Sequence, residues 1–299
     1  MCGIVGLFIK NRALEAQLGE HLSNMLIEMT ERGPDSAGVA VYRNPVADGA
    51  SKFTLLADSA DYPWDSLVAD VKATFSGNPK VEVHLNHAMV TVDAPAEKAQ
   101  AWLAEKHPEL RVNSSGQVIE IYKEKGLPTA FIKNFGLRKL QGTHALGHTR
   151  MATESAITTI ASHPFSTGQD LCLVHNGSLS NHNRLREQLR KQGIIFQTDN
   201  DTEVAAGYLS WRMHEGDSLD EALKHAVDDL DGFYTFAVGT RDGFAVMRDP
   251  IGCKPAVMAE TDDWAAMASE FRAIAVLPGV ENARIWEPEP TKIYSWKRG

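Results

Sequence analysis

The chain begins with MCGIVGLFIK at residues 1–10, and the predicted fold is built around this segment. Residues 2–9 form a short apolar run with β-branched members, which is typical of a buried strand. Cys2 stands at the start of this strand, and loss of the initiator methionine would give it a free α-amine. Such an amine has a pKa of roughly 7.7–8, so it suits the role of the base that takes the thiol proton. Cys2 is therefore a candidate nucleophile, although a small buried cysteine would fit the same sequence.

Outward from this strand, the chain alternates between groups of helices and groups of strands. Apolar residues recur at helical spacing from Leu14 to Met29, and Gly33-Pro34 ends that helix. Further buried strands are predicted at 37–43, 143–150, 171–175, 233–238, 244–248, 256–259 and 292–296. Further helices are predicted from a cap at Ser180 to Lys191, from Asp201 to His214, and after a capping box at Ser218 and Glu221. Because regular βαβ alternation is missing, the pattern favours layered α+β packing over a doubly wound sheet.

The region from about 45 to 140 differs from the rest of the chain. Turn signals at Asn44-Pro45 and Asp48-Gly49 open it. Short strands are predicted near 52–57, 81–92 and 117–122, around helical patterns near 63–75 and 95–106. These features predict a small α+β insertion at about 45–140, within one domain that covers residues 1–299. His84 and His87 lack cysteine, aspartate or glutamate at metal-ligand spacing, so we expect structural histidines.

Composition limits the partners and the compartment. The 299 residues are 43% hydrophobic, and 30 basic against 39 acidic residues give a net charge of −9. An acidic chain does not favour nucleic acid, which needs a basic face. The local basic patch fits a solvated helix face and comprises Arg184, Arg186, Arg190 and Lys191. Because the sequence shows no membrane span, no signal peptide and no disulfide framework, we expect a cytoplasmic protein.

Six short motifs occur in order along the chain. They are MCGIVGLF at 1–8, RGPDSAG at 32–38, GHTRMAT at 147–153, HNG at 175–177, DTE at 201–203 and RDPIGCKP at 248–255. Together they resemble the class II glutamine amidotransferase domain, a family of N-terminal-nucleophile hydrolases. The resemblance spans nearly the whole chain outside the insertion. It implies a four-layer αββα sandwich, which agrees with the layered α+β packing predicted above.

The resemblance implies an enzyme that hydrolyses the side-chain amide of glutamine to glutamate and ammonia. It assigns the attack, and the thioester that follows, to Cys2. Asn176 and Gly177 match the family's oxyanion-hole pair, in which one donor is a side-chain amide and the other a backbone N–H. Without the resemblance, an Asn-Gly pair would indicate a tight turn. Loss of one oxyanion donor typically removes about 2.7–4 kcal/mol of transition-state stabilisation.

The resemblance also implies how the amino-acid end of glutamine is held. Arg150 matches the arginine that binds the α-carboxylate, for which a guanidinium fork is suited. Asp201 matches the carboxylate that holds the α-ammonium group. Thr153 is expected to line the substrate pocket, with Arg32 and Asp35 as its support. An isolated arginine or aspartate would otherwise indicate a surface charge or a structural ion pair.

Some other positions carry separate expectations. Ser269-Glu270 resembles a further short family element. Met151 and Glu154 differ from the residues that better-known family members have at these positions. The way in which the site closes over the substrate is therefore not inferred from those members. Cys172 and Cys253 have no adjacent base in any motif and are expected to be structural. We expect neither a metal ion nor a cofactor on this chain.

The motifs leave no room for a synthase domain in 299 residues. Longer stretches, such as HPFSTGQDLCLVHNGSLSNHNRLR at 163–186, resemble the amidotransferase subunit of N-methylglutamate synthase and of split glutamate synthases. That resemblance implies a hetero-oligomer in methylamine metabolism. Its partners would be a flavin-containing glutamate-synthase-like subunit and a β-helical subunit. FMN and an iron–sulfur cluster are then expected on the partner subunits.

Two alternatives stay open at this point. A retained Met1 would block the α-amine of Cys2, which would make the chain a non-catalytic structural or regulatory subunit of such a complex. A cysteine hydrolase that acts on another amide would use the same nucleophile. Arg150 and Asp201 favour glutamine over that second alternative, because together they read a free α-amino acid.

Overall fold

The computed structural model describes residues 2–75, 77–151 and 157–298. The strands in these ranges are β1 Gly3–Ile9, β2 Ser36–Tyr42, β3 Ser51–Leu56, β4 Val81–His84, β5 His87–Val92, β6 Arg111–Gly116, β7 Ile119–Lys125, β8 His144–Arg150, β9 Phe165–Gly168, β10 Leu171–Leu179, β11 Gly232–Thr240, β12 Gly243–Arg248, β13 Val257–Glu260, β14 Trp264–Ala268, β15 Arg284–Trp286 and β16 Tyr294–Lys297. The helices are α1 Leu18–Glu28, α2 Trp64–Thr74, α3 Ala96–Lys106, α4 Pro128–Asn134, α5 His182–Lys191, α6 Asp201–His214, α7 Leu219–Asp229 and α8 Phe271–Ile274.

The first strand lies in the middle of the larger sheet, whose order is β15-β13-β14-β1-β8-β2-β7. All seven residues of β1 are buried. The strand pairs in antiparallel fashion with β8, so that Gly3 lies opposite Thr149. The N-terminal end of β1 therefore meets the C-terminal end of β8. As a result, Cys2 and Arg150 lie at the same edge of the sheet.

A second sheet, with the order β16-β12-β11-β10-β9, packs on one face of the larger sheet. Alternate residues of β1 face different cores, as the period of a strand requires. Ile4 and Phe8 join the core between the two sheets. Val5 and Leu7 join a core with α1, α4 and α8 on the opposite face. The outer face of the second sheet is covered by α5, α6 and α7.

The helix predictions are correct in type, and two of their starting points need comment. The predicted capping box is confirmed, because Ser218 and Glu221 bond reciprocally at the start of α7. Ser180 was wrong as a cap: α5 begins at His182 after Asn181, and the backbone N–H of Ser180 instead bonds to Asp231. In the described ranges, no helix has the length and apolar character needed to cross a membrane.

A small separate sheet has the order β4-β5-β3-β6 and lies in the region predicted to be an insertion. Together with α2 and α3 it encloses a core of its own, which includes Phe53, Leu67 and Leu103. Strand β7 follows this sheet in sequence but pairs with β2 in the larger sheet. The small sheet thus ends at Gly116. The end of the insertion near residue 140 stays a prediction about domain organisation.

Candidate active site

Cys2 directly precedes β1 and is half-buried. Its backbone carbonyl accepts hydrogen bonds from Arg32 Nε at 3.0 Å and from Asn176 Nδ2 at 3.3 Å. Two residues further on, the N–H of Ile4 donates to Ser269 Oγ at 2.9 Å, and the N–H of Ser269 donates to the carbonyl of Ile4 at 2.9 Å. Side chains from three distant motifs therefore hold the backbone at the candidate nucleophile.

Arg32 is held in place by Glu270. The two side chains form an ion pair at 2.6 Å, and Arg32 is buried. The neighbouring arginines hold the pKa of Glu270 below its usual range, with the hydrogen bond from Arg32 as the largest cause. The expectation that Arg32 supports the pocket thus has a structural basis in its bond to Cys2. The short element Ser269-Glu270 lies in the same place and braces both Ile4 and Arg32.

Asn176 and Gly177 are adjacent residues of β10, opposite Thr235 and Tyr234 of β11. The Asn176 amide nitrogen carries two hydrogens, so a bond to the Cys2 carbonyl leaves a second donor on the same atom. Gly177 has φ of 147°, and an added Cβ would lie 2.0 Å from the carbonyl oxygen of Phe233. Only glycine fits there without strain, and Gly177 lies within strand β10 rather than in a tight turn.

Arg150 ends β8 and is 7% exposed, with its Nη1 donating to the carbonyl of Ala161 at 3.3 Å. Asp201 is the first residue of α6, and its side chain is 22% exposed. Its Oδ2 accepts a bond from the N–H of Leu179 at 2.9 Å, two residues after Gly177. Asp201 is therefore tied to the same strand as Asn176.

The structure thus brings five predicted site residues to one region by strand pairing and hydrogen bonds. Cys2 and Asn176 are in direct contact, Gly177 follows Asn176, Asp201 is bonded to the end of the same strand, and Arg150 lies beside β1. Asp35 also lies here, because its N–H donates to the carbonyl of Arg150 at 3.0 Å. Two further predicted positions, Thr153 and Glu154, lie outside the described residues.

Three buried histidines behind the site form a network that the sequence motifs do not predict. His148 Nε2 bonds to the carbonyl oxygen of His175 at 3.1 Å, and the rings of His148 and His163 stack at 3.9 Å. Thr202 Oγ1 lies 3.0 Å from His175 Nδ1 and 3.3 Å from His163 Nε2. The network joins β8, β10 and α6, which carry Arg150, Asn176 and Asp201. The only signal in the sequence was that three of its members lie within the GHTRMAT, HNG and DTE motifs.

Burial keeps these imidazoles neutral near pH 7. Desolvation lowers the pKa of His148 to about 3 and that of His163 well below its usual value. Desolvation also lowers the pKa of His175, against the opposing effect of the nearby Asp201 carboxylate. The network therefore adds hydrogen bonds to the site without adding charge.

The remaining cysteines differ from Cys2 in their surroundings. Cys172 is fully buried, accepts a bond from Tyr42 at 3.3 Å, and has its thiol pKa raised by desolvation to about 12. Cys253 is exposed in the RDPIGCKP loop. That loop is built around Asp249, which accepts bonds from the N–H groups of Tyr234, Ile251 and Gly252. Among the described residues, no group of three or more histidine, cysteine or acidic side chains is arranged to hold a metal ion.

Comparison with known proteins gives the family. The family model for the glutamine amidotransferase domain matches residues 148–276. The glutamine amidotransferase-like protein GlxB of Rhizobium meliloti is 54% identical over 298 residues, which make up 99% of this chain and 98% of that relative. The amidophosphoribosyltransferase of Bacillus subtilis is 34% identical over 182 residues, which make up 59% of this chain and 37% of that relative.

A solved structure supports the same assignment at the level of the fold. Glutamine phosphoribosylpyrophosphate amidotransferase from B. subtilis, complexed with ADP and GMP, superposes with a TM-score of 0.60 at 22% identity. The superposition covers 99% of this chain and 49% of that chain. At this identity the likeness establishes the fold alone. Taken with the relative that matches the chain along its whole length, it shows that the chain belongs to the glutamine amidotransferase family, with a fold like that of glutamine phosphoribosylpyrophosphate amidotransferase.

Proposed function

We propose that the chain hydrolyses glutamine to glutamate and ammonia through a thioester on Cys2. The observation that carries the proposal is the bond between the Asn176 amide and the Cys2 backbone at 3.3 Å. It keeps a donor of the kind found in oxyanion holes beside the only half-buried thiol in the described ranges. Family membership makes glutamine the expected substrate.

The proposed reaction begins once Met1 has been removed. The thiol of Cys2 attacks the side-chain carbonyl carbon of glutamine, and the α-amine of Cys2 takes the thiol proton. The carbonyl oxygen becomes an oxyanion that accepts bonds from the Asn176 amide and the Gly177 N–H. Collapse of the oxyanion breaks the C–N bond of the amide. The protonated α-amine of Cys2 gives its proton to the departing nitrogen, which leaves as ammonia. Water, with the same amine as base, then attacks the thioester and releases glutamate.

Arg150 and Asp201 are proposed to hold the amino-acid end of the substrate. Arg150 would pair with the α-carboxylate and Asp201 with the α-ammonium group, and Thr153 would line the pocket. The partial exposure of Asp201 supports this role, because a carboxylate that binds a free amine must be reachable. Its bond to Leu179 supports it further, since that bond fixes Asp201 relative to the oxyanion-hole pair.

The electrostatics around the site support the α-amine as the base. His148 and His163 are stacked on each other, and His148 is already bonded to the carbonyl of His175. An imidazole with a pKa of about 3, as in His148, is a weak base for a thiol. An α-amine with a pKa of roughly 7.7–8 matches the operating pH.

The order of the cores supports a four-layer αββα sandwich as the finer description of the fold. One core lies between the helices α1, α4, α8 and the larger sheet, one between the two sheets, and one between the second sheet and α5, α6, α7. The small sheet with α2 and α3 would then be the insertion into this sandwich.

We further propose that the released ammonia is used on another chain, in a complex of the N-methylglutamate synthase or split glutamate synthase kind. The motif stretches that resemble those subunits support this proposal. The flavin-containing subunit and the β-helical subunit would be the partners, and FMN and an iron–sulfur cluster would belong to them. Purification from the native cytoplasm, followed by an absorbance spectrum, tests the proposal: a flavin-free single chain would contradict it.

Glutamate release from glutamine tests the reaction. We expect a Cys2→Ala variant to lose activity by at least about 10³-fold, since the nucleophile is gone. A Cys253→Ala variant, which changes the exposed thiol, is the matched control and should keep full activity. Full activity in the Cys2 variant would overturn the mechanism.

The mass of the mature chain tests the alternative of a non-catalytic subunit. Loss of one methionine together with glutaminase activity supports the enzyme, whereas full retention of Met1 without activity supports a structural role. An Arg150→Ala variant tests the remaining alternative. If glutamine turnover stayed unchanged in that variant, a hydrolase for another amide would replace the present proposal.

A further inference from the structure

Residues 157–164 lie over the larger sheet, where strand β7 holds them. Lys123 Nζ donates to the carbonyl of Ile160 at 3.1 Å. The hydroxyl of Thr159 donates to the carboxylate of the next β7 residue, Glu124. Ala161, which follows Ile160, accepts a bond from Arg150 Nη1 at 3.3 Å. Lys123 is therefore separated from the Arg150 guanidinium by one peptide unit and two hydrogen bonds.

Gly38 allows this segment to lie directly on the sheet. Gly38 of β2 lies opposite Lys123 of β7 on one side and opposite His148 of β8 on the other. A Cβ at Gly38 would lie 2.0 Å from the carbonyl oxygen of His163 and 2.8 Å from Cβ of Lys123. The ring of His163 stacks on that of His148 at 3.9 Å. The segment is thus held between the lysine on one strand and the histidine on another.

Lysine is unusual at this position because the position is buried: Lys123 is only 4% exposed. Its Nζ lies 4.7 Å from the centre of the Phe165 ring, which gives a cation–π contact. Desolvation lowers its pKa to about 8, against the opposing effect of the Glu203 carboxylate. Glu203 is itself bonded to the N–H groups of Gln197 and Thr198. Burial of an amine is unfavourable unless its hydrogens find acceptors, and here the acceptor is the segment beside Arg150.

We propose that Lys123 is a positioning residue for glutamine hydrolysis: its bond to Ile160 places the Ala161 carbonyl, which in turn directs the Arg150 guanidinium toward the substrate α-carboxylate. The inference rests on the proposed function of Arg150. It adds a residue that lies outside all six motifs, on the strand that leads out of the small sheet.

The test is a Lys123→Met variant, which keeps the length of the side chain and removes the donor. We expect the KM for glutamine to rise about tenfold, with kcat within about twofold, because Arg150 binds a group remote from the bond that breaks. We also expect the preference for glutamine over glutamine α-amide to fall by a similar factor, since the amide lacks the carboxylate. The matched control is Lys125→Met, on the exposed end of the same strand, which should change neither value.

A double-mutant cycle separates positioning from a general structural effect. Lys123→Met should have little further effect on KM in an Arg150→Ala background, because both changes remove the same interaction. If Lys123→Met unfolds the chain, Thr159→Val loosens the same segment from Glu124 at a partly exposed site and should shift KM in the same direction.

Two failures are distinguishable. Wild-type protein without glutaminase activity would overturn the proposed function itself. Active wild-type protein with an unchanged KM and unchanged amide discrimination in the Lys123 variant would overturn this inference and leave the function intact. Additive effects of the Lys123 and Arg150 substitutions would also overturn it.

Discussion

The histidine network behind Cys2 and the junction with the small sheet bury polar groups in different ways. Behind Cys2, the buried histidines are kept neutral by desolvation, and they bond to the His175 carbonyl and to Thr202. At the junction, full charges are buried: Lys52 and Glu120 are 1% and 0% exposed and pair at 3.0 Å. Arg43 adds a second pair to Glu120 at 2.7 Å, and Tyr122 donates to the same carboxylate at 3.0 Å.

The difference fits what each region has to do. In the proposed reaction, the residues behind Cys2 would support a developing oxyanion, and neutral imidazoles held as fixed dipoles suit that role. A junction has only to hold one strand of the small sheet against β7, and a buried carboxylate with several donors specifies that one arrangement. Removal of single groups in the two regions should therefore change different quantities, stability at the junction and turnover at the site.

The largest expected effect is on stability, at the junction. Glu120→Gln would leave the buried Lys52 without its paired carboxylate and Arg43 with only the half-exposed Glu82, which should lower the free energy of unfolding by about 3–5 kcal/mol. Urea unfolding measures this. Glutaminase activity of the folded variant should stay within about twofold of wild type. A loss of activity without a loss of stability would contradict the assignment of a structural role to the junction.

Next is an effect on turnover at the site. Asn176→Ala should lower kcat by about 10²–10³-fold, because one oxyanion donor is lost while substrate binding is kept. Steady-state kinetics measure this, with Asn181→Ala as the control. In the unsubstituted chain, the Asn181 amide bonds to the Asp229 carbonyl just beyond the end of the same strand. Equal losses in both variants would mean that the strand as a whole, rather than the donor, had been disturbed.

A third expectation concerns acid. His87, His144 and His148 each have a pKa of about 3 in the folded chain, because burial disfavours their charged forms. In the unfolded chain these histidines bind protons near pH 6.5. Their contribution to the free energy of unfolding is therefore fully present above that pH and is lost as the pH falls toward 3.

Urea unfolding between pH 7 and 5 isolates this effect, since most carboxylates titrate lower. Each histidine should contribute up to about 1.4 kcal/mol per pH unit to the slope of the free energy of unfolding against pH. His87→Phe, near the junction, and His144→Phe, in the larger sheet, should each reduce the slope by about one proton. An unchanged slope in both variants would contradict the assignment of the acid sensitivity to buried imidazoles.

The smallest effect belongs to the exposed edge of the junction. Arg43 also pairs with Glu82 at 2.8 Å, but the Glu82 side chain is 49% exposed. Glu82→Gln should therefore lower stability by about 1 kcal/mol or less. A loss as large as that for Glu120→Gln would show that burial does not distinguish the two pairs.

The sequence predicts the elements that carry the site better than the elements that support them. β1, β8, β10 and α6 were predicted within a few residues, because apolar runs there end at recognisable motifs. The strand β14 was missed. Its sequence WAAMA is buried at all five positions in mid-sheet, so no alternation marks it, and alanine favours helices.

The candidate site shows the same limit. Cys2, Asn176, Arg150 and Asp201 could be predicted because the motifs of a known family contain them. Lys123 could not, since its bond to Ile160 joins residues 37 positions apart. That contact exists only because β7 pairs with β2 and the later segment lies over Gly38. Such a relation depends on the pairing of three strands, which a linear pattern does not encode.

The hydrogen bonds to Cys2 have a consequence for the proposed removal of Met1. Both Arg32 and Asn176 hold the carbonyl of Cys2, whereas the bond cleaved during methionine removal lies on its amide side. Neither bond involves the residue that is lost. Processing would therefore create a basic amine beside a thiol whose location is already set. Maturation, on this view, turns on the chemistry of the site without requiring the chain to refold around it.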